Sequence, residues 1–272
     1  MLTQAIVDIG ANRGFTTMGI FAAWGQLVER QVTAIHARMR RGWHKAGCGM
    51  INSELFSLPR VVAFEPDPNN YAMLHDAAAV VMNYTATGKM AAIPSEKLTL
   101  VNAAVGKAAG TAHFASSQGG SGGSNGFSRA GGEVVRVVRL DEELPRLGLG
   151  GRLHFVKSDL EGYDPNAIYG AERLLRRHLI DLWYYEYHGK GQYMKEVSLQ
   201  QMTAYLERLG YASYLVGEYD LVHLTRSSLA KIGSFKDWSN VLAVRKTLPF
   251  HARLVLMLNR WRLPCAITNA SA

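Results

Sequence analysis

Cysteine is nearly absent from this chain of 272 residues: only Cys48 and Cys265 occur, far apart and in no C-x-x-C pair. That usage leaves no redox pair and no cysteine metal knuckle, and it fits reduced thiols in a cytoplasmic setting. Long apolar runs are missing as well. No uninterrupted stretch is long enough to span a bilayer, and no charged leader precedes an apolar signal core. Charged residues are sparse at 19%, against roughly a quarter in ordinary chains, while 48% are hydrophobic. This balance excludes global disorder and supplies a substantial core. Acidic residues are outnumbered by basic ones, 22 to 30, for a formal net charge of +8. The excess favours anionic partners or surfaces and says nothing about fold. No internal repeat is present. The chain opens directly on its first core strand, so either the domain is minimal or an N-terminal extension lies outside this sequence.

The opening segment is Val7-Asp8-Ile9-Gly10-Ala11-Asn12-Arg13-Gly14-Phe15-Thr16-Thr17. Residues 5–9 are apolar and partly β-branched and stop at glycine, as a buried strand does. Residues 14–24 turn helical. Strand, glycine turn and helix predict a row of unpaired backbone N–H groups at a helix N-terminus, with Asp8 at the strand tip, a geometry suited to a nucleoside-bearing cofactor. The turn lacks one feature of the dinucleotide fingerprint G-x-G-x-x-G: Asn12 stands where the second glycine would admit a pyrophosphate. Asp8 would repel a pyrophosphate but can receive an ammonium group. S-adenosylmethionine, with an amino-acid end and no phosphate, fits better.

The pattern downstream alternates strands with helices. Strands are expected at 61–64, 98–102, 153–157 and 180–187, and helices at 69–83, 165–178 and 198–209. Two short strand candidates, 111–115 and 133–140, flank a glycine- and serine-rich loop at 118–132. Residues 211–216 and 241–244 could complete the sheet. An irregular basic insertion at 27–58 carries Arg38, Arg40, Arg41, Trp43, His44 and Lys45. Such a segment is a solvated loop or a surface for an anionic substrate. This alternation predicts one α/β domain over 1–247 with a mostly parallel sheet covered on both faces. Ligands of such sheets sit beyond the strand C-termini. The strand-tip residues are Asp8, Glu65, Asn102, Asp159 with Glu161, and Glu186 with His188. Residues 248–272 form a basic amphipathic tail, with Phe250, Leu254, Leu258 and Trp261 set against Arg253, Arg260 and Arg262. The tail could lie on a membrane surface or dock on the domain.

Four blocks together resemble the FkbM-type methyltransferase family, a branch of the class I S-adenosylmethionine-dependent enzymes. They are Val7-Asp8-Ile9-Gly10-Ala11-Asn12-Arg13-Gly14, Phe64-Glu65-Pro66-Asp67, Asn102-Ala103-Ala104-Val105-Gly106 and Lys157-Ser158-Asp159-Leu160-Glu161-Gly162. Leu140-Asp141-Glu142 and Asn240-Val241-Leu242-Ala243-Val244 extend the likeness. It departs at Gly162-Tyr163-Asp164, where family members continue as glycine, alanine, glutamate, and in the long insertion. The resemblance implies a Rossmann-like class I fold with a seven-stranded, mostly parallel sheet and a β-hairpin insertion. It also implies S-adenosyl-L-methionine as cofactor and transfer of a methyl group to an oxygen of a small molecule or glycan.

On that footing Asp8, Gly10, Asn12, Gly14, Glu65 and Asn102 are the expected cofactor-binding residues. Glu65 would accept the ribose hydroxyls, Asn102 would face the adenine edge, and Asp8 would hold the methionine end. The bland alternatives are a helix-start carboxylate for Glu65, a turn-capping amide for Asn102 and a buried strand-end carboxylate for Asp8. Asp67 fits the helix-start role better than Glu65. Methyl transfer is an in-line displacement and depends on placing the acceptor oxygen. An alcohol must also lose a proton, and Asp159, Glu161 or His188 could take it; histidine's ordinary pKa of about 6.5 suits the task. Asp159 and Glu161 could instead pin the turn before Pro165 or share a cation, and His188 could be an ordinary loop residue. No other metal site is suggested, and there is no clear nucleic-acid signal. Two rival readings stay open: an NAD(P)-dependent oxidoreductase on the related fold, and a methyltransferase-like module that binds without turnover.

Overall fold

The structure is a computed structural model and describes residues 5–23, 59–82, 94–115, 126–127, 132–187, 196–217, 221–232 and 238–260. The insertion at 27–58, most of the loop at 118–132, and His188 lie outside the described residues.

Along the chain, β1 (Ala5–Ile9) leads through α1 (Phe15–Ala23) to β2 (Arg60–Phe64), α2 (Pro68–Met82) and β3 (Leu98–Val101). Four short strands follow, β4 (Ala104–Val105), β5 (Gly110–Ala115), β6 (Gly126–Phe127) and β7 (Glu133–Val138). Then come α3 (Leu140–Arg146), β8 (Leu153–Ser158), α4 (Asp164–Gly170), α5 (Glu172–Arg176) and β9 (Ile180–Tyr187). The chain continues through α6 (Leu199–Arg208), β10 (Tyr211–Val216), β11 (Leu221–His223), α7 (Arg226–Ile232), β12 (Ser239–Arg245) and α8 (Pro249–Arg260).

The main sheet runs in the order β11, β10, β12, β9, β8, β1, β2, β3. From β3 to β9 every pair is parallel. β12 then enters antiparallel between β9 and β10, and β11 adds an antiparallel edge. The sheet therefore has eight strands rather than seven. The extra one, β11, spans three residues and is too short to leave a period in the sequence. The expected hairpin is present as β5 against β7, within a second sheet ordered β4, β7, β5, β6.

Alternation divides the strands between two cores. Val7, Ile9, Val62 and Phe64 face one layer, while Ile6, Val61 and Ala63 face the α1 and α2 side with Met18, Phe21, Leu74 and Ala77. Asp8 shares the parity of Ile6, so its side chain also points to the α1 side. β1 is buried along its whole length because it lies between β2 and β8.

Several boundaries differ from the sequence expectation for identifiable reasons. The helix expected at 165–178 breaks at Ala171. Gly170 presses on the Gly106 carbonyl so closely that a Cβ there would sit 2.2 Å from its oxygen. Asp141 then accepts the Arg173 and Leu174 N–H groups at 3.2 and 3.1 Å, which starts α5 anew. The strand expected at 133–140 stops at Val138, and Leu140 opens α3, whose first turn holds Asp141, Glu142 and Glu143. Acidic groups there complement the helix dipole. By contrast α6 begins and ends as expected. Ser198 and Gln201 form a reciprocal capping box, and Leu199, Met202, Thr203 and Leu206 make its buried stripe.

The tail helix α8 docks through Leu254, which packs in one cluster with Leu248, Ala212, Tyr214 and Val244. The Tyr214 hydroxyl lies 3.0 Å from His251 Nε2. Phe250 departs from the expected apolar face and is half exposed. Among the described residues no helix is long and apolar enough to cross a membrane.

Candidate active site

The β1–α1 turn uses up its own N–H groups. Gly10 and Ala11 both donate to the Phe64 carbonyl at 3.0 Å, and Gly14 donates to the Ala11 carbonyl at 2.9 Å. Asn12 N donates to Glu65 Oε2 at 2.7 Å, and Arg13 N to the Asn12 side chain at 2.8 Å. The N–H groups from Gly10 to Gly14 are therefore committed to the protein. The glycine requirement is real but has a different cause. Gly10 adopts φ +72°, and a Cβ there would lie 2.2 Å from the Asp159 carbonyl oxygen. Its neighbour is the β8 loop, not a ligand. Asn12 takes a left-handed φ of 52°, which asparagine tolerates better than most residues.

Glu65 ends β2 and is 4% exposed. Its Oε1 accepts the Asp67 N–H at 2.9 Å while Oε2 holds Asn12. Burial pushes its carboxyl up to about 7, against the opposing pull of those N–H groups. Asp67, as expected, does the helix-start work: its Oδ1 accepts the Asn69 and Asn70 N–H groups at 2.9 Å. Asn102 does not line the cleft. Its Nδ2 donates to the Glu65 and Pro66 carbonyls at 2.9 and 3.2 Å, tying the β3 tip to the β2 tip.

Asp8 is fully buried rather than exposed at a tip. Its Oδ2 accepts the Thr17 hydroxyl at 2.6 Å, and Oδ1 lies 3.3 Å from Lys157 Nζ as an ion pair without hydrogen-bond alignment. Lys157 stands beside Asp8 in the parallel register and reaches the Gly10 carbonyl at 3.2 Å and Asp159 Oδ2 at 3.6 Å. Burial pulls the Lys157 ammonium down, but Asp8 and Asp159 outweigh it and raise it overall.

Beyond β8 lies an acidic wall. Asp159 has a half-exposed side chain. Glu161 adopts a left-handed φ of 50°, costly for a residue other than glycine, and its N–H donates to Glu186 Oε2 at 3.1 Å. The Trp238 indole N–H donates to the other Glu186 oxygen. Asp164, standing where the family pattern has glutamate, is completely buried. It accepts the Ser158 hydroxyl at 2.6 Å and the Leu160 N–H at 3.2 Å, and Ser158 in turn accepts the Trp183 indole N–H at 3.0 Å. Burial pushes Asp164 up to about 7; burial and the nearby Asp159 charge raise Glu186 as well.

These walls enclose a cleft of about 250 Å³ at the C-terminal edge of the sheet. Of the residues expected from sequence, Gly10, Asn12, Glu65, Asp159 and Glu161 line it. Asp8 and Gly14 are buried and Asn102 is exposed, and none of the three lines it. Sequence reasoning gave no role to Lys157 or Trp238, and placed Asp164 only as a departure from the family pattern. The Asp8 and Lys157 pairing was recoverable only from strand register. Among the described residues no group of three or more His, Cys, Asp or Glu side chains is arranged to hold a metal ion.

The Methyltransferase FkbM domain profile matches residues 8–213, a span that runs from Asp8 through the whole cleft. The chain belongs to the FkbM methyltransferase family. No curated protein matches it in sequence. Among solved structures, it is similar to methyltransferase FkbM from Methylobacillus flagellatus KT, at 15% identity and a TM-score of 0.49 over 89% of this chain and 43% of that one. The chain thus spans less than half the length of that protein. The glycopeptide N-methyltransferase MtfA, solved in complex with sinefungin, is similar at 10% identity and a TM-score of 0.33, over 89% of this chain and 81% of that one. The four sequence blocks stand at the tips of β1, β2, β3 and β8.

Proposed function

We propose that this chain binds S-adenosylmethionine in the cleft and transfers its methyl group to a hydroxyl oxygen of a small molecule or glycan. The observation that carries the reading is Glu65: a desolvated carboxylate at the β2 tip, lining the cleft, with acceptor capacity left beyond two backbone N–H bonds and the Asn70 side chain. Two ribose hydroxyls donating to it would favour the charged form and offset the cost of its burial. Ile9, Phe64, Val105, Phe114 and Leu160 supply apolar walls for an adenine ring. When bound, the cofactor supplies a sulfonium methyl group as the electrophile. The acidic wall suits that positive charge; Glu161 and His188 are the groups we assign to accept the acceptor's proton, with Asp159 facing the cofactor.

The turn weighs against a nicotinamide dinucleotide. A pyrophosphate needs backbone donors, and those from Gly10 through Gly14 already have protein acceptors. Calorimetric titration with S-adenosylhomocysteine and with NAD tests this directly. Binding of the first and silence with the second are expected; the reverse result would overturn the assignment. Methyl release to polyhydroxylated acceptors separates an enzyme from a binding module.

A further inference from the structure

We propose that Asp159, positioned by Lys157, receives the α-ammonium group of the cofactor's amino-acid end, and that Asp8 serves as the buried counter-charge of Lys157. The inference rests on the S-adenosylmethionine reading above. It moves the amino-acid subsite from Asp8, where the sequence placed it, to the residue two positions past Lys157.

The parallel register sets Asp8 beside Lys157, and the two-residue period of an extended strand returns Asp159 to the same side. Lys157 is 8% exposed, and a buried ammonium is costly unless its partners are close. Here three oxygens surround it, from Gly10, Asp8 and Asp159. The trio holds one positive and two negative charges, so one negative charge is left over. Its location follows from exposure: the Asp8 side chain is 0% exposed and locked to Thr17, whereas that of Asp159 is 49% exposed and lines the cleft. The surplus charge is therefore presented to the ligand at Asp159. Lys157 also grips the Gly10 carbonyl, so one side chain fixes both the turn and the orientation of the Asp159 carboxylate.

Two ligands separate this role from scaffolding. S-adenosylhomocysteine carries the amino-acid end; 5′-methylthioadenosine shares the adenosine and thioether but lacks it. Both are titrated into the wild type, Lys157→Met, Asp159→Asn and the double variant. Each single change is expected to weaken S-adenosylhomocysteine by about tenfold while leaving methylthioadenosine within about twofold. The double variant should lose little more than either single one, because the two residues act as a unit. Equal loss for both ligands, or unchanged affinity for S-adenosylhomocysteine, overturns the proposal. If Lys157→Met does not fold, Asp159→Asn alone decides, since its side chain is half exposed. A wild-type protein that binds neither ligand would instead remove the cofactor reading itself.

Discussion

The two walls of the cleft each carry carboxylates at strand tips, and they are held in opposite ways. On the β2 wall both Glu65 oxygens are clamped by backbone N–H groups, and Asn102 braces the same tip. On the β8 wall the Asp159 carboxylate is half exposed and touched by Lys157 at 3.6 Å. Behind it Asp164 and Glu186 are buried acids that accept the N–H groups of Leu160 and Glu161. The first wall is held in one fixed arrangement by these bonds. The second concentrates negative charge and carries a left-handed backbone at Glu161.

The strongest way to break the comparison is to pry the walls apart. Gly10→Val would drive a Cβ into the Asp159 carbonyl and place a β-branched residue at positive φ. We expect binding of S-adenosylhomocysteine to vanish in calorimetry and stability to fall by about 2 kcal/mol or more in chemical denaturation. Normal binding would show that the walls are not coupled at this glycine.

Glu65→Ala sharpens the comparison on the first wall. It should weaken S-adenosylhomocysteine by about tenfold or more, equivalent to roughly 1.4 kcal/mol, without changing which acceptors are used. In the wild type the affinity should also rise with pH through about 7, because hydroxyl donors bind the ionised form of Glu65 better. Affinity that is flat from pH 6 to pH 8 would place the ribose elsewhere.

The smallest effect concerns stability and the second wall. Glu65 and Asp164 ordinarily titrate at 4.5 and 3.8 but are both pushed up to about 7 by burial. Between those values the folded chain keeps protons that the unfolded chain has lost. The stabilisation is thus complete below the unfolded pKa and is lost as pH rises through about 7. The ligand-free protein should melt lower at pH 8.5 than at pH 5.5, by on the order of 5 °C. Asp164→Asn should flatten that slope, and a thermal scan in which it does not would assign the dependence to the first wall.

What could be read from the sequence followed the range of each signal. Strand-turn-helix periodicity is local, so β1, β2, β8 and β9 fell within a residue or two of their expected places. Glu65 was legible because a carboxylate, a proline and a helix start stand together. The burial of Asp8 against Lys157 was not legible, because Lys157 is distant in sequence and adjacent only through strand pairing. Alternation gave its parity but not its neighbour. The bonds from Asn102 to the Glu65 and Pro66 carbonyls depend on the approach of the β2 tip, which no local pattern shows. The break at Ala171 likewise came from two remote contacts, the Gly106 carbonyl and the Asp141 carboxylate.

The paired bonds from Gly10 and Ala11 to a single Phe64 oxygen have a mechanical consequence. They weld the glycine turn to the neighbouring strand, so those two segments travel as one stationary jaw. The weld extends to Asp159, whose N–H is bonded to the Ile9 carbonyl, and stops short of the stretch from Leu160 to α4. Amide exchange at Gly10 and Ala11 should accordingly keep pace with the sheet interior, while Leu160 and Glu161 exchange sooner.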